Sequence, residues 1–231
     1  MKSVIISIRP KWVGKIARGE KTIEVRKSAP QQVPFKAYIY ATRPKIFYKC
    51  GAVSTSAELL WLTNGKVEMG DGFKFWANGD EYQCLNGRII GEFICDKIDD
   101  FYCASVPYQR ENNLGYGQGI VFECNDRYID TNDLKEMCLS AQELFDYIGG
   151  VGKHLYAWHI SDLKIYDNPK ELSEFYLRKF DNNDYCSGCI HHETPITEYP
   201  CNDCRRDAFE RKYLTRPPQS WQYVEDLGDE K

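Results

Sequence analysis

The chain has 231 residues, 42% of them hydrophobic and 28% charged, with a formal net charge of −4. That length suits one sizeable domain plus a small appendage, in the composition range of soluble globular proteins. No apolar run approaches the roughly 20 residues of a membrane helix, and the N-terminus lacks the apolar region and cleavage site of a signal peptide; a cytoplasmic location with no membrane partner is the expectation.

Charge is unevenly spread. The first 50 residues carry 12 Lys/Arg against Glu20 and Glu24 alone, a local +10, while the remaining 18 basic and 32 acidic residues give −14. The basic segment reads either as an anion-binding surface or as a face that pairs with the acidic remainder.

In chain order, SVIISIRP (3–10) reads as a buried strand, and Pro10 suits the first turn of a helix. KWVGKIARGE (11–20) places Val13, Ile16 and Ala17 at helical spacing, with Gly19 set to end the helix. GEKTIEVRK (19–27) is a second strand. Alternation puts Ile23 and Val25 on one face and Thr22, Glu24 and Arg26 on the other. Lys21 has the parity of the apolar face, but as the strand's first residue it can bend its stem outward. Two readings stay open: a half-buried strand with a solvated outer face, or a cleft lined by a cation, an anion and a hydroxyl. FKAYIYAT (35–42) is a third strand, with Phe35, Ala37 and Ile39 opposite Lys36, Tyr38 and Tyr40.

Residues 51–86, rich in Gly and Asn, read as an insertion with a short helix at Ala57–Leu62 and a hairpin around Phe73–Cys84. GRIIGEFICDKIDDF (87–101) is one long strand. SAQELFDYI (140–148) has Ser140 and Glu143 at capping-box spacing and stops at Gly149-Gly150, so it is a short helix. LYAWHISDLKIYD (155–167) is a final strand or pair of strands. The tail TRPPQSWQYVEDLGDEK (215–231) reads as extended, because Pro217-Pro218 and the acidic end oppose packing, though Trp221 and Tyr223 could anchor it. The expected class is α+β: a small mixed β-barrel domain over 1–168 with a few flanking helices, a cysteine-containing module over 169–215 and an acidic tail over 216–231.

Six of the ten cysteines are scattered singly and read as buried free thiols. The other four form CSGC (186–189) and CNDC (201–204), two C-x-x-C pairs able to supply a tetrahedron of thiolates. Cys186, Cys189, Cys201 and Cys204 are therefore expected to bind one structural zinc, which would fold a segment too polar to build its own core. LGYGQG and GGVGK lack the pattern of a phosphate loop. His154 and His159, the two strand histidines, read as structural.

GEKTIEVR carries a resemblance. Gly19, Lys21, Glu24 and Arg26 fill all four positions of the G-x-K-x-x-E-x-R signature of the ASCH (activating signal cointegrator homology) domain. The order of strand, RPKW-entered helix and motif strand over about residues 2–168 is also similar to bacterial and phage members. The resemblance implies a PUA-like β-barrel whose cleft binds RNA or a modified nucleobase. Lys21 and Arg26 would point into that cleft toward an anionic or carbonyl-bearing ligand, and Glu24 would accept from a base edge or hold Arg26. Some small members resemble amidohydrolases of acylated cytidine, which carry a threonine where this chain has Glu24; Thr22 is at a different motif position.

The ligand-binding set expected from this reading is Lys21, Thr22, Glu24, Arg26, Tyr40 and Trp158, with Trp12 and Tyr38 as further stacking faces for a nucleotide or RNA base. Two alternatives remain. One is a hydrolase acting on a modified nucleoside or RNA, with Lys21 as nucleophile or base and Glu24 as its acid–base partner. The other is a protein-interaction module that docks a partner through the C-terminal segment.

Overall fold

The computed structural model describes residues 1–43, 47–49, 52–54, 59–70, 83–109, 116–177 and 214–226. Strand β1 (Lys2–Ile8) is a near-continuous apolar run because both of its faces are covered. Val4, Ile6 and Ile8 enter one core and Ile5 another. Helix α1 (Pro10–Ala17) starts with proline at its first position and buries Val13 and Ile16. It leads to β2 (Ile23–Arg26) and β3 (Phe35–Ala41), and β3 lies parallel to β1.

After β4 (Phe47–Lys49) and β5 (Ala52–Ser54), β6 (Leu59–Thr63) and β7 (Lys66–Gly70) form a hairpin about Asn64-Gly65, both at positive φ (46° and 72°). β8 (Gln83–Cys84) adds to β6. The helix expected at Ala57–Leu62 is thus a strand over its described part, since the Asn-Gly turn gives β6 a pairing partner that outweighs the helix propensity of its leucines. Of the hairpin expected around Phe73–Cys84, only the last residues lie within the described chain.

β9 (Ile89–Cys95) and β10 (Ile98–Gln109) divide the expected long strand at Asp96-Lys97. β11 (Tyr116–Cys124) and β12 (Arg127–Tyr128) follow, then α2 (Thr131–Met137) and α3 (Ala141–Ile148). The capping box of α3 forms as the spacing implies, with Ser140 Oγ accepting from the Glu143 N–H. β13 (His154–His159) and β14 (Ser161–Lys170) complete the strand pair, and β15 (Phe175–Leu177) and β16 (Trp221–Asp226) close the chain order.

The main-chain hydrogen bonds build a six-stranded sheet, β14-β9-β3-β1-β16-β15, and a five-stranded sheet, β12-β11-β10-β13-β2. Among the described residues no ring of strands closes, so the expected barrel is instead two open sheets. Their shared core joins Phe35, Ile39 and Phe93 of the first sheet to Trp158 of the second. The outer face of the second sheet carries Ile23, Val25, Phe101 and Leu155 against Leu144 and Ile148 of α3. The far face of the first sheet buries Tyr38 and Tyr40 with Phe175 and Val224.

The boundary expected at 168/169 falls inside β14, and the tail expected to be extended supplies β16, which pairs antiparallel with β1 from Ser3↔Val224 to Ile6↔Trp221. The prolines stop just short of that strand, so they do not interrupt its ladder. Cys186, Cys189, Cys201 and Cys204 lie outside the described residues, and among the described residues no cluster of metal-ligating side chains occurs. Among them, too, no helix is long and apolar enough to cross a membrane.

Because β16 is an inner strand, a chain ending at Ser220 should expose an unpaired edge of β1 and detach β15. We expect it to lose the cooperative unfolding transition of the full chain in urea; an unchanged midpoint would show that β16 is dispensable.

Candidate functional site

The motif loop is built against the end of α2. Gly19 follows α1 at φ 71°, a conformation that costs other residues about 1–2 kcal/mol, so the glycine of the signature is there to turn the chain. The Thr22 N–H donates to Glu136 O at 3.0 Å, and Cys138 Sγ donates to Glu20 O. Lys21 Nζ donates to Met137 O at 2.6 Å and to Ile23 O at 2.7 Å. Met137 is the last residue of α2, so the ammonium satisfies a carbonyl that the helix itself leaves unbonded and that bears the negative end of its dipole.

Glu24 sits between two cations. Its Oε2 is 3.4 Å from Lys21 Nζ and its Oε1 is 3.0 Å from Arg26 Nη2. Arg26 Nη2 also donates to Ser7 O of β1 at 2.7 Å, so a side chain rather than a backbone ladder joins the two sheets here. Lys21, Glu24 and Arg26 are 3%, 6% and 8% exposed, which rules out a solvated outer face for this strand. Burial pushes the Lys21 amine below its ordinary value, and the Glu24 carboxylate acts against that shift. Trp12 places its ring 5.4 Å from Lys21 Nζ and adds a cation–π contact. Arg26 Nε is buried with no hydrogen-bond partner.

These residues floor a cleft of about 860 Å³. Ser7 of β1, Arg9 at the N-cap of α1, Trp12 of α1, and Glu143, Asp146 and Tyr147 of α3 stand around it, and Pro217–Ser220 form a further wall. That wall is fixed: Ser7 Oγ donates to Pro218 O at 2.6 Å, the Ser7 N–H donates to Ser220 O at 2.8 Å, and Trp221 Nε1 donates to Ser28 Oγ at 3.0 Å. Much of the basic first segment is neutralised locally, with Arg18 paired to Glu20, Lys11 to Glu143 and Lys36 to Glu92. Arg9 and Lys27 line the cleft without an acidic partner among the described residues.

Of the residues expected to bind ligand, the structure brings Lys21, Glu24 and Arg26 together in the cleft. It does not bring the other three there. Thr22 is exposed and precedes β2. Tyr40 is buried on the far face of the first sheet. Trp158 lies opposite Glu24 in the strand register, but it is fully buried and packs edge-on against Phe35 at 5.1 Å and Trp221 at 5.9 Å. Tyr38 belongs to the same far-face core as Tyr40, whereas Trp12 does stand in the cleft wall.

Sequence reasoning missed Tyr147, Arg9 and the Pro217–Ser220 wall, and it missed α2, whose carbonyl holds Lys21. Asp130 followed by Asp133 was the available signal for α2; the two form a reciprocal capping box. The two strand histidines make structural contacts: His159 Nε2 is 2.7 Å from Asp99 and His154 Nδ1 is 2.8 Å from Asp100.

No family model matches the chain, and no curated protein matches it. Among solved structures the chain is similar to ASCH from Zymomonas mobilis, with a TM-score of 0.43 and 17% identity over 97% of this chain and 88% of that one. A tyrosine-to-phenylalanine variant of that protein matches with a TM-score of 0.43 and 17% identity over 97% and 91% of the two chains. A serine-to-alanine variant matches at 0.42 and 16%, over 97% and 89%.

Glu24 is the only carboxylate in contact with either buried cation among the described residues. Glu24→Gln should therefore leave two desolvated positive charges without a counter-charge. We expect a loss of about 3 kcal/mol in denaturant unfolding, in the range measured for broken buried ion pairs; a loss under about 1 kcal/mol would mean that water already reaches the cluster.

Proposed function

We propose that the cleft binds the base of a nucleotide, presented either by single-stranded RNA or as a modified nucleoside. The observation that carries this reading is the unfilled donor capacity and surplus charge of the floor. Two cations share one carboxylate, and Arg26 keeps a buried N–H without an acceptor. Such a site gains most from a ligand that brings a carbonyl or anionic oxygen. About 860 Å³ lies within the usual range for small-molecule sites and admits a nucleotide. Tyr147 offers a flat side chain at the wall for an aromatic ring. The G-x-K-x-x-E-x-R resemblance points to the same ligand class.

The roles within the motif divide. Both strong hydrogen bonds of Lys21 go to backbone carbonyls and its third contact is Glu24, so Lys21 supports the site from below. Arg26 is the cation with capacity left for a ligand. The hydrolase reading draws support from the lowered affinity of buried Lys21 for its proton. Against it, three acceptors surround the nitrogen and favour the protonated form, which is neither nucleophile nor base.

The test is a titration of an RNA pool and a panel of modified nucleosides against the wild type and Arg26→Gln, with circular dichroism to verify the fold of the variant. We expect the wild type to bind one of the two classes and Arg26→Gln to lose at least about 10-fold, as a charge-assisted hydrogen bond is worth roughly 1.5–3 kcal/mol. Absence of binding by the wild type, or equal binding by the variant, would refute the reading and leave the interaction-module alternative.

The double C-x-x-C spacing supports one structural zinc on Cys186, Cys189, Cys201 and Cys204. Elemental analysis of protein purified without chelator should return one zinc per chain, and a metal-free chain would remove the proposal.

A further inference from the structure

A second recess, of about 370 Å³, adjoins the cleft. The two share Lys27 and Ser28, the residues that follow β2, so this short ridge separates one from the other. The recess is lined by Gln31, Asp100 and Tyr156 among others. Tyr156 faces Arg26 across the β13–β2 register, and Asp100 faces Tyr156 across β10–β13, so the recess lies on the same sheet face as the motif pair Glu24 and Arg26.

The ridge is a built feature. Trp221 Nε1 donates to both the carbonyl and the hydroxyl of Ser28, at 3.2 and 3.0 Å. Lys27 is exposed, its Nζ lies 5.2 Å from the centre of the Tyr147 ring, and it has no acidic partner among the described residues. A cation held between two recesses, one with an aromatic wall and the other with an aromatic, an amide and a carboxylate, has the layout of a phosphate flanked by two bases.

Resting on the proposed nucleobase cleft, we infer that its ligand continues over Lys27 into the second recess, and that the site takes two consecutive nucleotides of a single strand. The first base enters the cleft above Arg26, the phosphodiester lies on Lys27, and the second base stacks at Tyr156. Asp100 and Gln31 supply an acceptor and an amide for its edge. Asp100 is also bonded to His154, which orients its carboxylate.

The experiment compares three sets of probes by calorimetry on the full chain: the four ribonucleosides, their 5′- and 3′-monophosphates, and the sixteen ribodinucleoside monophosphates. We expect the best dinucleotide to bind at least 10-fold tighter than both its nucleoside and its monophosphate. For Lys27→Gln we expect the monophosphate to lose its advantage over the nucleoside, and the salt dependence of dinucleotide binding to fall by about 0.7 in log–log slope, the share of one phosphate contact. Lys27 is exposed, so the variant should fold. Nucleoside binding with no gain from the second nucleotide would overturn this inference while leaving the first cleft standing. A Lys27→Gln protein with an unchanged salt slope would overturn it too. Absence of binding by every probe would overturn this inference together with the single-stranded-RNA form of the nucleobase cleft, leaving the modified nucleosides as its ligand class.

Discussion

Glu24 is a carboxylate shared by two buried cations, and each of those cations also holds backbone carbonyls of other elements. Through Lys21 the cluster reaches the last carbonyl of α2 and the first of β2; through Arg26 it reaches Ser7 on β1. Three elements thus meet through one charge arrangement. Taking three charges out of water is costly, and the carbonyls, the Trp12 ring and the ion pairs together offset much of that cost. What they do not offset is the excess of one positive charge. The same cluster that joins the two sheets is therefore electrically incomplete.

Placement of the cleft follows from how the sheets fail to close. β2 is four residues long and is the outermost strand of its sheet. Next to it stands the end of β1, an inner strand of the other sheet, and Arg26 spans the two where a ladder would otherwise run. The gap left by the missing ladder is where Trp12, Tyr147 and Pro217–Ser220 gather. An opening between sheets, floored by residues of both and walled by two helices and a fixed loop, is a site on rigid elements rather than on a mobile loop.

What could be read in the sequence was local. β1, α1, the motif strand, β3 and the capped helix α3 each declare themselves within about ten residues, through alternation, helical spacing or a capping box. The pairing of Glu24 with Arg26 also follows from strand parity, whereas Lys21, of opposite parity, joins them only from its place at the mouth of the strand. Parity cannot say which covered face is a cleft and which a core, so it does not reveal that Phe175, Val224, Phe35 and Trp221 occupy the surfaces of Tyr40 and Trp158. β16 is not legible locally because its partner lies more than 200 residues away, while the nearby prolines and acids point to a loose end. The short polar helix α2 has little apolar periodicity, and nothing local shows the carbonyl at its end that holds Lys21.

The position of β16 also bears on how the protein is made. β1 is made more than 200 residues before its partner, and among the described residues one of its edges is matched by residues 221–224. Until residues 221–224 have been made that edge lacks this partner, and its apolar residues must be sheltered by other means or stay unpaired. The wall at Pro217–Ser220 arrives at the same late moment. The cleft is then completed only once residues 217–224 have been made, so a nascent chain stalled earlier carries the whole G-x-K-x-x-E-x-R motif but no finished cleft.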